Sequence, residues 1–119
     1  MVSRIDSIIA ERTEHRRATA IARLGPLLRD LRSQGYDLDV VGSLARQEFK
    51  SHSDVDLLVR GGLNATERAT VERAVAAAMR GSAISYDLIY AADLTPARLK
   101  EFERDLVQAP GIRKARDQA

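Results

Sequence analysis

Two aspartates, Asp54 and Asp56, stand at positions i and i+2 in a run that is otherwise typical of a buried strand. Side chains alternate across a strand, so both carboxylates are expected on the same face. Two carboxylates this close repel each other, and either a cation must offset the repulsion or one of them must take up a proton. Mg²⁺ suits such a pair because it prefers oxygen ligands, usually one or two carboxylates with substrate phosphates and waters. Taken alone, the triplet is more often a solvent-exposed strand start.

A second feature, the pair Gly42-Ser43, directly follows the preceding predicted strand. Glycine has no Cβ, so its backbone can approach a phosphate closely. Amides at the start of a helical turn donate to anions, and the serine hydroxyl adds a donor. A lone Gly-Ser pair is almost always an ordinary turn. The segment between Ser43 and Asp54 is long enough for a short helix and a return to the sheet, which would place phosphate donors beside the carboxylates.

The elements that must position these residues are a long N-terminal helix, three strands and further helices. In chain order they are helix 3–33, strand 37–42, a helical turn after Ser43, strand 54–60, a helix from Asn64 to about Arg80, strand 84–91, and a helix from Thr95 that stops before Pro110. Gly25-Pro26 interrupts the first helix, and proline removes an amide donor there, so a kink or a break is expected. The second strand, the helix and the third strand can form a right-handed crossover with parallel strands. This order predicts a small mixed α/β sheet with helices packed mainly on one face.

Composition limits the kind of protein. The 119 residues suit one domain, with an N-terminal helical segment at 1–35, a core at 36–108 and a tail at 109–119. The absence of cysteine excludes disulfides and thiolate metal sites and is consistent with the cytoplasm. No apolar run approaches the ~18 residues of a membrane span. The net charge of +2 does not predict nucleic-acid binding.

Residues 41–59, VGSLARQEFKSHSDVDLLV, resemble the minimal members of the DNA polymerase beta-like nucleotidyltransferase superfamily. Their signature is Gly-Ser, a short helical segment often written Ala-Arg-Gly-Asp or Ala-Arg-Gly-Glu, and then Ser-Asp-x-Asp before apolar residues. The matching positions are Gly42, Ser43, Ala45, Arg46, Glu48, Ser53, Asp54, Asp56, Leu57, Leu58 and Val59. Two positions depart from it, because Gln47 replaces the usual glycine and Val41 replaces a common aromatic residue.

The resemblance implies a third carboxylate on a neighbouring strand, and Asp87 stands where it is expected. Without the resemblance, Asp87 would be a strand-edge acid or an arginine partner. The resemblance implies that Asp54, Asp56 and Asp87 are catalytic and bind Mg²⁺ or Mn²⁺, with ATP as the substrate. It further implies that the nucleotide is bound by four residues of the signature. These are Gly42, Ser43, Arg46 and Ser53. Arg46 could equally be a solvated helix arginine.

The resemblance also implies a reaction and a partner. Minimal members are frequently antitoxins that transfer AMP to a HEPN-type ribonuclease toxin, so a protein partner and a homo- or hetero-oligomer are expected. Two alternatives stay open at this point. One is a binding module that neutralises its partner by contact without catalysis. The other is a nucleotidyltransferase that modifies a small molecule such as an antibiotic.

Overall fold

The computed structural model describes residues 4–46, 48–50 and 53–106. In chain order the elements are α1 (Arg4–Ser33), β1 (Leu38–Val41), α2 (Gly42–Ala45), β2 (Val55–Val59), α3 (Ala65–Met79), β3 (Tyr86–Tyr90), a 3-10 turn (Ala91–Asp93) and α4 (Pro96–Leu106). The observed order of helices and strands confirms the order predicted from the sequence. Gln47 and the expected end of the last helix with its tail lie outside the described residues. None of the described helices is long and apolar enough to cross a membrane.

The three strands form one mixed sheet with β2 in the centre. β1 pairs with β2 antiparallel, and β3 pairs with β2 parallel. The parallel pair needs a long connection, which α3 provides between the two strands. Both the mixed sheet and the parallel pair were predicted from the order of elements.

One apolar core lies between one face of the sheet and the helices α1 and α3. Its largest fully buried members are Leu24, Leu28, Leu31, Leu38, Leu44, Leu57, Val55, Val59, Val71 and Val75. Helix α4 instead contacts β1 and α2. Val41 and Leu58 are fully buried on the other face of the sheet. Helices α2 and α4 contact the strands that carry these two residues.

Two helices begin with the capping interactions that the sequence predicts. Asn64 caps α3 in a reciprocal arrangement with Glu67, whose backbone N–H donates to the Asn64 side chain at 2.9 Å. The Thr95 hydroxyl accepts from the Arg98 N–H at 3.2 Å, and Pro96 is the first residue of α4. Local sequence therefore sets where these two helices begin.

Of the kink or break expected at Gly25-Pro26, the break does not occur, because α1 is continuous through Pro26, and the kink stays a prediction. A proline inside a helix costs about 3 kcal/mol through the lost hydrogen bond and the clash with the preceding turn. Leu24, Leu27 and Leu28 surround the proline and are all buried. Their packing against the rest of the chain offsets that cost and keeps the helix intact.

Candidate active site

The three predicted carboxylates lie together at one end of the sheet. Asp56 is in β2 and is the register partner of Val41 in β1 and of Asp87 in β3. Register partners on neighbouring strands point to the same face, about 4.8 Å apart. Asp54 precedes β2 by one residue and shares that face because it is two positions from Asp56. Asp54 and Asp87 are exposed, whereas Asp56 is half-buried between its neighbours.

The electrostatics of Asp56 follow from this position. Burial is the largest cause that raises the pKa of its carboxyl, and the negative charges of Asp87 and Asp54 raise it further. The Arg46 guanidinium opposes the rise. The repulsion expected from the sequence is therefore present and involves all three acids. A cation placed among them would relieve it.

Gly42 touches this cluster through its Cα. Its φ is +73°, in the region that favours glycine. A Cβ at this position would overlap the Oδ2 atom of Asp56. The sequence suggested that the glycine leaves room for a phosphate. The structure shows that it leaves room for the protein's own carboxylate.

Sequence reasoning missed a fourth carboxylate, Asp105 in α4. Its side chain is buried, and its Oδ2 accepts the Gly42 N–H at 2.7 Å. Its Oδ1 lies 3.4 Å from Nη1 of Arg46. Asp105 stands three positions after Phe102, on the apolar stripe of the helix. An acid at such a position was the signal that could have identified it.

Arg46 forms ion pairs with two acidic residues, Glu48 and Asp105. Its Nε donates to Glu48 at 3.2 Å, and its Nη1 reaches Asp105. It is also close enough to Asp56 to lower the pKa of that carboxyl. Because 39% of its side chain is exposed, the guanidinium is fixed by protein acids and still faces solvent. A role of Arg46 in phosphate contact stays a prediction.

Ser53 and Ser43 take part in the turns that lead into and out of the site. The Ser53 hydroxyl accepts the Lys50 N–H at 2.8 Å, and the Ser43 carbonyl accepts the Glu48 N–H at 2.8 Å. Both are local bonds between residues three to five positions apart in the chain. A role of either hydroxyl in nucleotide binding stays a prediction.

A second residue missed by sequence reasoning is Arg16 of α1. Its two terminal nitrogens donate to the Ser53 carbonyl at 3.1 Å and to the Ala83 carbonyl at 3.2 Å. Ser53 immediately precedes Asp54, and Ala83 lies shortly before β3. Arg16 therefore ties together the two segments that carry Asp54 and Asp87 into the site. No motif marks it, because it is one arginine among many in a charged helix.

The donor set fits a divalent cation that is shared with a substrate. Within the described ranges, no group of three or more His, Cys, Asp or Glu side chains could hold a metal ion. Mg²⁺ commonly binds through one or two carboxylates and completes its shell with substrate phosphates and waters. Asp54 and Asp56 offer two carboxylates on one face, and a substrate phosphate and waters would complete the shell. These residues suit Mg²⁺ or Mn²⁺ arriving with a polyphosphate.

Comparison with known proteins agrees with this chemistry. No curated protein matches the chain. The family model described as a nucleotidyltransferase domain matches residues 23–113, a range that contains every site residue except Arg16. The match covers more than half of the 119 residues. The protein therefore belongs to the nucleotidyltransferase domain family, and this membership supports a function in nucleotidyl transfer.

Proposed function

We propose that this protein transfers AMP from ATP to a hydroxyl group of a partner protein, with Mg²⁺ or Mn²⁺ as cofactor. We further propose that the partner is a HEPN-type ribonuclease toxin, which the transfer neutralises. The observation that carries the proposal is the side-by-side placement of Asp56 and Asp87 on neighbouring parallel strands, with Asp54 on the same face. This cluster lies next to Gly42-Ser43, where the polyphosphate is expected.

The residues around the acidic cluster have different proposed roles. Asp54 and Asp56 would hold the cation, which supplies charge neutralisation on the triphosphate when it is bound. Arg46 would donate to the phosphate oxygens, because it lies near Asp56 and keeps an exposed guanidinium. The Ser43 hydroxyl, one position after Gly42, would be a second donor.

Asp87 is the candidate for proton removal because its carboxylate is exposed to an incoming acceptor. In the proposed step the acceptor hydroxyl gives its proton to Asp87, and its oxygen forms a bond to the α-phosphorus. The bond from that phosphorus to the oxygen bridging the α- and β-phosphates breaks. Pyrophosphate leaves with the electron pair, so the AMP group becomes an ester of the acceptor.

An exposed apolar patch supports a protein as the acceptor. Ile5, Ile8 and Ile9, called here the isoleucine patch, are 69%, 40% and 49% exposed in the first turns of α1. They share one side of the helix because they are three and four positions apart. Contiguous exposed apolar side chains often mark a surface for another protein. The family match begins at residue 23, so this patch lies outside the part shared with the family.

The test is direct transfer of label. The purified protein is incubated with the candidate toxin, labelled ATP and Mg²⁺, and the toxin is examined by mass spectrometry for added AMP. The Asp54→Ala, Asp56→Ala double variant is expected to lose the label. Asp93→Asn serves as a matched control, because Asp93 is an exposed acid paired with Arg68 outside the cluster.

Three results would contradict parts of the proposal. Label that persists in the double variant would exclude the metal site described here. Toxin neutralisation that persists in the double variant would favour a binding module that acts by contact. Label found on a small hydroxyl compound and absent from the toxin would favour a small-molecule nucleotidyltransferase.

A further inference from the structure

The buried carboxylate of Asp105 makes a short contact with the backbone of the active site. Its Oδ2 accepts the Gly42 N–H at 2.7 Å, in the range of a charge-assisted hydrogen bond. Asp105 is only 7% exposed, so this bond is shielded from water. The acid comes from α4, and the amide belongs to Gly42, the first residue of α2. The contact therefore fixes α4 to the start of α2 beside the acidic cluster.

Gly42 consequently lies between two carboxylates. Its N–H points to Asp105, and the side of its Cα where a side chain would project faces Oδ2 of Asp56. Among the described residues, no donor bonds the side-chain carboxylate of Asp56, whose backbone pairs within the sheet. A buried N–H requires an acceptor, and without Asp105 the nearby oxygen of Asp56 would be available to it. That bond would draw the Asp56 side chain toward Gly42 and occupy one oxygen of the Asp56 carboxylate.

Arg46 contributes to the same arrangement. Its Nη1 lies 3.4 Å and 3.5 Å from the two oxygens of Asp105. The charge of Asp105 is thus partly balanced by a guanidinium nitrogen that lies at nearly the same distance from both of its oxygens. A buried carboxylate that has both a backbone donor and a guanidinium as partners keeps a defined orientation.

We propose that Asp105 is a positioning residue for Asp56: it accepts the Gly42 N–H and so leaves both oxygens of Asp56 available to the divalent cation. This inference rests on the proposed function, since it assumes that Asp56 binds a metal. Partners that orient the ligands of a metal typically change its affinity about 10- to 100-fold when they are removed. The acceptor atom of Asp105, and not its charge, is what the role requires.

Two variants separate the acceptor from the charge. Asp105→Asn keeps an oxygen that can accept the Gly42 N–H, whereas Asp105→Leu has a similar shape and no acceptor. Mn²⁺ binding is measured on the full chain by electron paramagnetic resonance with a non-hydrolysable ATP analogue. We expect the asparagine variant to bind Mn²⁺ close to the wild-type affinity. The leucine variant is expected to bind it about tenfold or more weakly.

A purely structural role is distinguished by a matched control. Val75→Ala removes volume from the fully buried core, so it is expected to lower the melting temperature without changing Mn²⁺ affinity. All variants are measured well below their melting temperatures. Wild-type Mn²⁺ affinity in Asp105→Leu would overturn the proposal. An equal loss in Asp105→Asn and Asp105→Leu would also overturn it, because the charge would then be the cause.

The proposal stays testable if Asp105→Leu fails to fold. In Asp105→Asn the Gly42 amide proton must keep a hydrogen-bonded chemical shift by nuclear magnetic resonance, together with near wild-type Mn²⁺ affinity. A retained hydrogen bond with lost Mn²⁺ affinity would overturn the positioning role. Failure of the proposed function looks different: the wild type would then bind Mn²⁺ no better than Asp56→Ala.

Discussion

The carboxylate of Asp56 packs against the Cα of Gly42, where any other residue would carry its Cβ. The contact follows from the register, because Val41 is the strand partner of Asp56 and Gly42 comes next in the chain. The first residue of the predicted phosphate-binding pair and the central acid of the metal cluster are thus in direct contact. A change at the glycine must act on the acid.

Gly42→Ala is expected to weaken both stability and cation binding. Alanine in the left-handed region costs about 1–2 kcal/mol, and the added Cβ would also displace the Asp56 side chain. Gly81→Ala is a matched control because Gly81 has a φ of +76° and nothing within 4 Å of an added Cβ. Thermal unfolding and Mn²⁺ titration are measured for both variants.

The control separates backbone strain from the contact with Asp56. Both variants should lose stability, and only Gly42→Ala should also lose Mn²⁺ affinity. If the two variants lost stability equally and both kept Mn²⁺ affinity, the contact between Gly42 and Asp56 would have no effect on the site.

Asp56→Asn is expected to stabilise the metal-free protein at neutral pH. Burial and the charges of Asp87 and Asp54 raise the pKa of Asp56 above its ordinary value of 3.8. The folded state therefore holds this proton more tightly than the unfolded state does. The resulting stability is fully present below pH 3.8 and is lost as the pH rises through the raised pKa. Asparagine carries no charge and avoids that loss, so a gain of about 0.5–2 kcal/mol is reasonable for a substitution of this class.

The measurement is denaturant unfolding with a chelator present, at pH 7 and near pH 3.5. The difference between Asp56→Asn and wild type should be positive at pH 7 and should shrink at the acidic pH, where Asp56 is protonated. Added Mg²⁺ with nucleotide should stabilise the wild type and not the variant. A variant less stable than wild type at pH 7 would show that the Asp56 charge is compensated in the folded protein.

Much of the site was predictable because its chemistry is local in sequence. Asp54 and Asp56 are two positions apart, so strand alternation alone places them on one face. The position of Asp87 beside Asp56 could not be predicted from alternation, because it depends on the register of two parallel strands. The family resemblance was the reason to expect a third carboxylate at Asp87. Gly42 was identified for its conformational freedom, although the contact that requires it became visible only in the structure.

The contributions of Asp105 and Arg16 could not be predicted, because both act across long stretches of chain. Asp105 reaches Gly42 from 63 positions away, and Arg16 reaches Ala83 from 67 positions away. The apolar stripe of α4 marks Asp105 as an inward-facing acid, but nothing local identifies Gly42 as its partner. Arg16 is one of many arginines on a charged helix, and nothing local distinguishes it from the solvated ones. Helix α1 does not break at Gly25-Pro26 for a similar reason, because tertiary packing overrides a local preference.

Arg16→Lys is expected to lower both the stability of the protein and its affinity for the Mn²⁺–nucleotide complex. The guanidinium bonds the Ser53 and Ala83 carbonyls together, and a single ammonium cannot reproduce that fork. One of these hydrogen bonds is exposed and the other is partly buried, so losing one costs about 0.5–1.5 kcal/mol, and the segments before Asp54 and Asp87 would be less well fixed. Thermal unfolding and the affinity for the Mn²⁺–nucleotide complex should both fall.

Arg17→Lys is the adjacent control, because Arg17 is bonded to Glu14 on the surface of α1. A surface substitution of this kind is expected to change stability by no more than about 0.5 kcal/mol. Equal behaviour of the two lysine variants would mean that the Arg16 contacts contribute nothing to the site.

Replacing the isoleucine patch is expected to separate nucleotide binding from partner recognition. In the triple variant Ile5→Gln, Ile8→Gln, Ile9→Gln, glutamine keeps a good helix propensity and removes the apolar surface. The three side chains are mostly exposed, so the melting temperature and Mn²⁺ affinity should stay near the wild-type values. Transfer of AMP to the partner protein should fall about tenfold or more if the patch contributes at least 1.4 kcal/mol to binding.

The control for the patch is Glu11→Gln, an exposed polar position on the same part of α1. Its transfer rate should match the wild type, which would show that the loss depends on apolar contact and not on any change to the helix. Unchanged transfer in the triple variant would place the partner on another surface. A fall in melting temperature would instead show that the patch packs against the protein's own chain, since removing solvent-exposed side chains gives no such loss.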